Sequence, residues 1–205
     1  MNYYRVHSRD NDTCFYYDKD KQIHLEYCPT CGLLTNREKA REQSVAIYRK
    51  KGKYLMSDTW DGETIVSERF VEIYNKYNLK GLDFIPLPKS PHYFLLRCNN
   101  IVRYDYDYNT NLYMKDKCPT CNQWYEICPQ GILNIRMENE AIMEADTFYV
   151  SDIIIGEKVA RRRILYATDN IPSYFKIEKG RIFFDKIESC LLYTSPSPRD
   201  PKTSR

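Results

Sequence analysis

Apolar positions in this chain fall mostly in short alternating runs, and one stretch departs from that habit. From Ser67 onward, "SERFVEIYNKYNLKG" sets Phe70, Ile73, Tyr74 and Tyr77 at i, i+3, i+4 and i+7, which is one face of an α-helix. Ser67 offers an oxygen to the free N–H groups of a first turn, and Glu68 a carboxylate beside them. Gly81 supplies the left-handed residue with which helices often end. The next run, "LDFIPLP", predicts a short extended segment that Pro86 and Pro88 confine to a sheet edge or a strand end.

Elsewhere the period is closer to two. "MNYYRVHS" predicts a first strand, with a polar turn at Asn11 and Asp12, and "CFYYDKDKQIHLEY" two short strand-like runs around a Lys/Asp turn. "GILNIRM", "RILYAT", "YFKIEKG" and "RIFFDKI" predict short strands in the second half. Tyrosine alternates with aspartate in "IVRYDYDYNTNLYMKDK", which predicts a half-buried strand in preference to a stacking or sugar-binding surface. "NREKAREQSVAIYRKKGKYLMSD" is polar and then apolar, and its weak periodicity leaves the structure open. "ETIVSERF" and "FYVSDIII" share a Val-Ser-acid core that suggests a duplicated strand-to-helix unit, although so short an echo also arises by chance. The pattern as a whole predicts an α+β fold with an antiparallel or mixed sheet and few helices.

Composition adds that this is ordinary globular material, at 42% hydrophobic and 29% charged residues. No apolar run approaches the roughly 20 residues of a membrane helix, and the first residues lack a secretory leader. The expectation is a cytoplasmic protein with reduced thiols. Residues 1–189 form one expected domain with no low-complexity linker. The tail differs. "CLLYTSPSPRD" resembles one frame of a transposon-type sequencing adapter, the alternative being a native disordered tail. On the adapter reading residues 190–205 are disordered and foreign, and the native sequence stops near Ser189. Without them the net charge falls from +3 to +1 and seven of the eight cysteines remain. Basicity then gives no argument for a nucleic-acid partner.

Cys-Pro-Thr-Cys occurs twice, its copies opening at Cys28 and Cys118, 90 positions apart. One shared metal, two redox dithiols and disulfides all fit two such pairs; a reducing compartment disfavours the last. A Cys-x-x-Cys turn sets two sulfurs on one side of a tight loop, and two turns give the four thiolates of a closed tetrahedral zinc. Gly32 follows the first pair and Asn122 the second, both residues that tolerate positive φ. A redox pair instead opens a helix, which neither copy does. The predicted ligands are therefore Cys28, Cys31, Cys118 and Cys121, in zinc knuckles at 28–32 and 118–122, holding one structural Zn²⁺ across an insert of 86 residues. Cys14 and Cys98 are expected to be buried small hydrophobes, Cys128 a buried thiol in preference to a spare ligand, and His24 a strand histidine in preference to an alternative ligand.

Catalytic constellations are missing from the sequence. His7, His24 and His92 belong to no His-Glu-x-x-His helix, no nucleophile elbow exists, and 7 glycines form no phosphate loop. Asp58/Asp61 and Asp105/Asp107 read as solvated turns or strand faces before they read as dyads. The prediction is a protein without catalytic residues.

The paired motifs together resemble a known family, the double-CXXCG-motif proteins, counted among bacterial immunity proteins for polymorphic contact-dependent toxins. The resemblance is carried by "CPTCG", by "CPTC", and by "IVSERFVEIYNKYNLKGLDFIPL", which looks like the strand–helix–Gly–strand segment of such families. It spans most of residues 1–189; the second motif departs, reading CXXCN. It implies a small cytoplasmic protein that binds and neutralises a cognate protein toxin, without catalysis. Two other classes stand beside it. A zinc-ribbon nucleic-acid binder would use Arg161, Arg162 and Arg163 or "RKKGK" at 49–53, both read as solvated faces, and a thiol oxidoreductase would need an exposed dithiol.

Overall fold

The alternating runs pair into two sheets in the computed structural model, which describes residues 1–8, 13–16, 23–47, 54–104, 112–129, 143–179 and 181–187. The larger sheet takes β1 (Tyr3–His7), β6 (Ile101–Val102), β7 (Leu112–Lys117), β8 (Trp124–Pro129), β9 (Phe148–Glu157), β10 (Arg162–Thr168) and β11 (Phe183–Ile187). Its order is β11-β1-β10-β9-β8-β7. Strand β6 runs parallel to β9 at Val150 and Ser151, while β8 pairs antiparallel with the far end of β9 at Gly156 and Glu157. The smaller sheet, β2 (Met56–Asp58), β3 (Thr64–Ser67), β5 (Tyr93–Cys98) and β4 (Leu82–Pro86), is antiparallel throughout, in the order β2-β3-β5-β4. Helices α1 (Arg37–Gln43), α2 (Glu68–Lys76) and α3 (Ile171–Ile177) complete the described elements. The architecture is α+β with mostly antiparallel strands, as predicted, and the Pro-rich β4 lies at a sheet edge.

Burial on both faces explains the strand sequences. In β10, Leu165 and Ala167 enter one apolar cluster while Ile164 and Tyr166 enter another. A strand covered twice needs a near-continuous apolar run, and "ILYA" provides one. In β9, Phe148 and Val150 face the first cluster, and Tyr149 and Ile153 the second. The first cluster is shared: Val66 and Leu96 of the small sheet reach it from the other side, so one core joins the two sheets. Ile65 and Leu95 turn the opposite way, into a third cluster with Phe15 and Leu34.

The helical stripe lands as its spacing demands, with Phe70 and Ile73 fully buried and Tyr74 and Tyr77 packed beside them. Its ends differ from expectation. Ser67 makes no side-chain capping bond, and Asn78, with φ of 51°, is the left-handed residue after the last turn. Gly81 serves another purpose at the mouth of β4: a Cβ there would stand 2.3 Å from the carbonyl oxygen of Phe148. Close approach of β9 and a φ of 93°, rather than helix termination, demand glycine.

"YFKIEKG" is not a strand. Its first four residues belong to α3, which starts with Ile171 and Pro172 and buries Ile171 and Phe175 at i, i+4. "NREKAREQ", left without an element, forms α1 over the fully buried Ala40. The Val-Ser-acid echo marks no duplicated unit, because β3 leads into α2 whereas β9 runs on as strand to Glu157. Residues 13–16 and 23–27 contain no strand, only a bridge residue at Cys14 and an isolated bridge between Tyr27 and Leu34. The Asn11–Asp12 turn, "RKKGK", Asp105 to Tyr108, "GILNIRM" and the adapter-like tail all lie outside the described residues.

Candidate metal centre

Each Cys-Pro-Thr-Cys segment folds into the same turn. The N–H of Gly32 donates to the Cys28 carbonyl at 2.8 Å, and that of Cys28 to the Leu33 carbonyl at 2.8 Å. The N–H of Asn122 donates to the Cys118 carbonyl at 2.9 Å, and that of Cys118 to the Gln123 carbonyl at 2.8 Å. Gly32 and Asn122 occupy the left-handed region at φ of 70° and 59°, the role foreseen for them. The second turn is the tip of the β7–β8 hairpin, closed by Lys117 opposite Trp124; the first is closed by Tyr27 opposite Leu34.

The two turns meet tip to tip. Cys28 and Cys118 sulfurs are 3.8 Å apart, those of Cys31 and Cys121 3.5 Å, and all four lie within 4.8 Å of one another. The Thr30 and Thr120 hydroxyls touch at 2.7 Å. Each of these contacts joins a residue to its counterpart in the other copy, as across a two-fold axis. A tetrahedron with metal–sulfur bonds of about 2.3 Å has edges of about 3.8 Å, so the sulfurs stand close to a tetrathiolate arrangement. Cys28 and Cys118 are buried, Cys31 and Cys121 half-buried.

Local dipoles favour thiolate at the inner pair. The backbone N–H of Cys31, helped by that of Thr30, lowers the Cys28 pKa, and the N–H of Cys121 brings Cys118 down to about 6. Burial, as long as no cation is at hand, pushes Cys31 up to about 12. Neither pair opens a helix: α1 begins five residues beyond Gly32, at Arg37, and the second pair sits on a hairpin. Gln123 links the turns, its Nε2 donating to the Leu34 carbonyl at 3.4 Å, and Tyr125 Oη reaches the Thr30 carbonyl at 3.5 Å.

The other flagged residues fall outside this cluster. Cys14, Cys98 and Cys128 are half-buried rather than buried; Cys98 is pushed up to about 12 by burial, and Cys128 lies 3.0 Å from the Glu126 carboxylate. The His24 ring is exposed, 3.7 Å from Glu26. Asp58 and Asp61 are neither a dyad nor a solvated turn. Both are buried: Asp61 accepts the N–H groups of Phe15 and Tyr16, Asp58 that of Ser8. Of the three arginines, Arg163 alone is exposed. Arg161 is buried, Arg162 lies 3.5 Å from Asp58, and Arg163 donates to the Ser151 and Asp152 carbonyls.

One buried cluster had no signature in the sequence. Glu63 accepts from the Tyr16 hydroxyl and pairs with Arg37 at 2.8 Å and Arg41 at 3.3 Å. Burial, then the Glu63 charge, raises the Tyr16 pKa far above its ordinary value. Its members are spread over 47 residues, from Tyr16 to Glu63, and pairing across such distances leaves no local pattern. Arg37, Glu63, Arg97, Arg161 and Arg163 line a groove of about 470 Å³ between α1 and the β9–β10 pair. No described helix is long and apolar enough to cross a membrane. No family model, curated protein or solved structure matches the chain.

Proposed function

We propose that Cys28, Cys31, Cys118 and Cys121 hold one structural zinc ion, and that the protein is an immunity protein which binds and neutralises a cognate bacterial toxin in the cytoplasm. The observation that carries the metal reading is the meeting of two identical turns with all four sulfurs within 4.8 Å. Four thiolates fill a tetrahedral zinc, so the ion would serve folding and leave no position for substrate. The toxin-binding role rests on the family resemblance of the paired motifs and the segment leading into and out of α2. An inhibitor of this kind acts by stoichiometric contact, with a few aromatic and arginine anchors dominating its affinity.

The nucleic-acid reading loses part of its support, since Arg161 is buried against Gln123 and Arg162 faces Asp58, which leaves Arg163 as the exposed member of the three. The test is co-expression with the toxin encoded beside the gene. Rescue of growth with a co-purifying one-to-one complex supports the proposal. Rescue without a complex, or a thiol-dependent turnover abolished by Cys28→Ser, replaces it with an enzyme.

A further inference from the structure

Arg161 brings a charge into the interior that its neighbours do not answer. It follows the 3-10 turn Lys158–Ala160, opens the approach to β10, and is 7% exposed. Nη1 donates to Gln123 Oε1 at 3.0 Å, and Nε is buried without a hydrogen-bond partner. Among the described residues no carboxylate pairs with it. An unpaired buried cation is strongly destabilising, so a residue in this position needs the opposite charge from elsewhere. Arg37 does the reverse: burial and then its like charge hold the Arg161 pKa below the usual range, while Cys121 and Cys31 pull it back.

Gln123 connects the guanidinium to both cysteine turns. Its backbone carbonyl closes the second turn on Cys118, and its side-chain amide donates to Leu34 of the first. A guanidinium can only donate, so Arg161 fixes the amide with Oε1 toward itself and Nε2 toward Leu34. We propose that Arg161 is the countercharge of the metal centre: four thiolates around a divalent ion leave a dianion, and Arg161 answers it while holding Gln123 as the tie between the two turns. The inference rests on the four cysteines binding a divalent ion.

Zinc-loaded wild type, Arg161→Met and Arg161→Lys are mixed with an excess of a chromophoric chelator and zinc release is timed. Loss of such a partner typically weakens a metal site about 10- to 100-fold. Release from Arg161→Met is expected to quicken by that factor, while Arg161→Lys, which keeps the charge, stays close to wild type. Metal-free melting separates this from a structural role: without zinc the charge is uncompensated, so Arg161→Met melts no lower than wild type. Equal losses in the loaded and metal-free forms overturn the proposal, as does release at the wild-type rate. Should Arg161→Met fail to fold, Gln123→Glu gives the guanidinium a carboxylate of its own and is expected to speed release; no change overturns the proposal. If inorganic phosphate stabilises wild type but not Arg161→Met, and zinc release is unchanged, the counterion is an anion in the adjoining groove instead. A wild type that binds no divalent ion sinks the metal reading itself, whereas binding with unaltered release from Arg161→Met sinks only the countercharge.

Discussion

The core beneath α2 and α3 and the junction of the two cysteine turns are built on opposite plans. In the core, Phe70, Ile73, Phe148 and Phe175 are fully buried, the Phe70 and Phe175 rings are 4.9 Å apart, and Tyr77 stacks on Tyr174 at 4.3 Å. Its stabilisation is spread over many weak contacts. At the junction the two turns share one short hydroxyl contact, two long carbonyl contacts and four sulfurs. Polar contacts at 3.4 and 3.5 Å contribute little. The first region is redundant and tolerates partial damage; the second concentrates its hold on a few atoms.

That contrast breaks most sharply at sulfur. Cys118→Ser is expected to abolish zinc binding, measured as metal per chain, and to lower thermal stability more than any single core truncation. Structural zinc sites bind with about 10–16 kcal/mol in small peptides, against about 3–5 kcal/mol for a buried Phe→Ala. Equal melting of wild type and variant, both without metal, would show that the junction holds on its own. Phe70→Ala comes next, with a loss of about 3–5 kcal/mol in urea unfolding and an unchanged metal content. A fall in both would mean that the regions are coupled.

The smallest effect is electrostatic. Glu178, just past α3, accepts from Lys76, Arg69 and Tyr77 of the α2 region. The Lys76 hydrogen bond, followed by that residue's charge and those of its neighbours, holds the Glu178 pKa below the usual carboxylate range. The unfolded chain therefore takes up this proton first as pH falls. The contribution is complete above the unfolded value of about 4.3 and is lost as pH falls from there through the lower folded value. Glu178→Gln is expected to lose less melting temperature than wild type between about pH 5 and about pH 3, with equal zinc at neutral pH. Parallel pH curves would remove the clasp from the account.

What could be read in the sequence follows the range of each interaction. The α2 stripe, the edge strand with Pro86, and strands β1, β10 and β11 were legible because their signals lie within one element. So were the cysteine turns, where spacing, Gly32 and Asn122 encode the geometry locally. Their meeting is non-local, yet matched motifs announced it. The α3 start was missed because the strand window began at Tyr174, after Ile171 and Pro172. The fate of Gly81 depended on β9, which lies 67 residues away at Phe148. Buried Asp58, Asp61, Glu63 and Arg161 were misjudged or unseen for a common reason: a charge reads as solvent-facing until its distant partners are known.

The separation of the turns also sets a clock. A ribosome adding about 5–20 residues per second needs on the order of 5–20 s to travel from the first pair to the second. Throughout that interval Cys28 and Cys31 exist without the counterparts they meet in the finished protein. Every strand of the small sheet, and α2 with it, is made before Cys118 emerges. Closure of the junction thus waits until the small sheet and α2 have been made. A chain that lost its first two thiols to oxidation during those seconds would complete translation with nothing for the second pair to join.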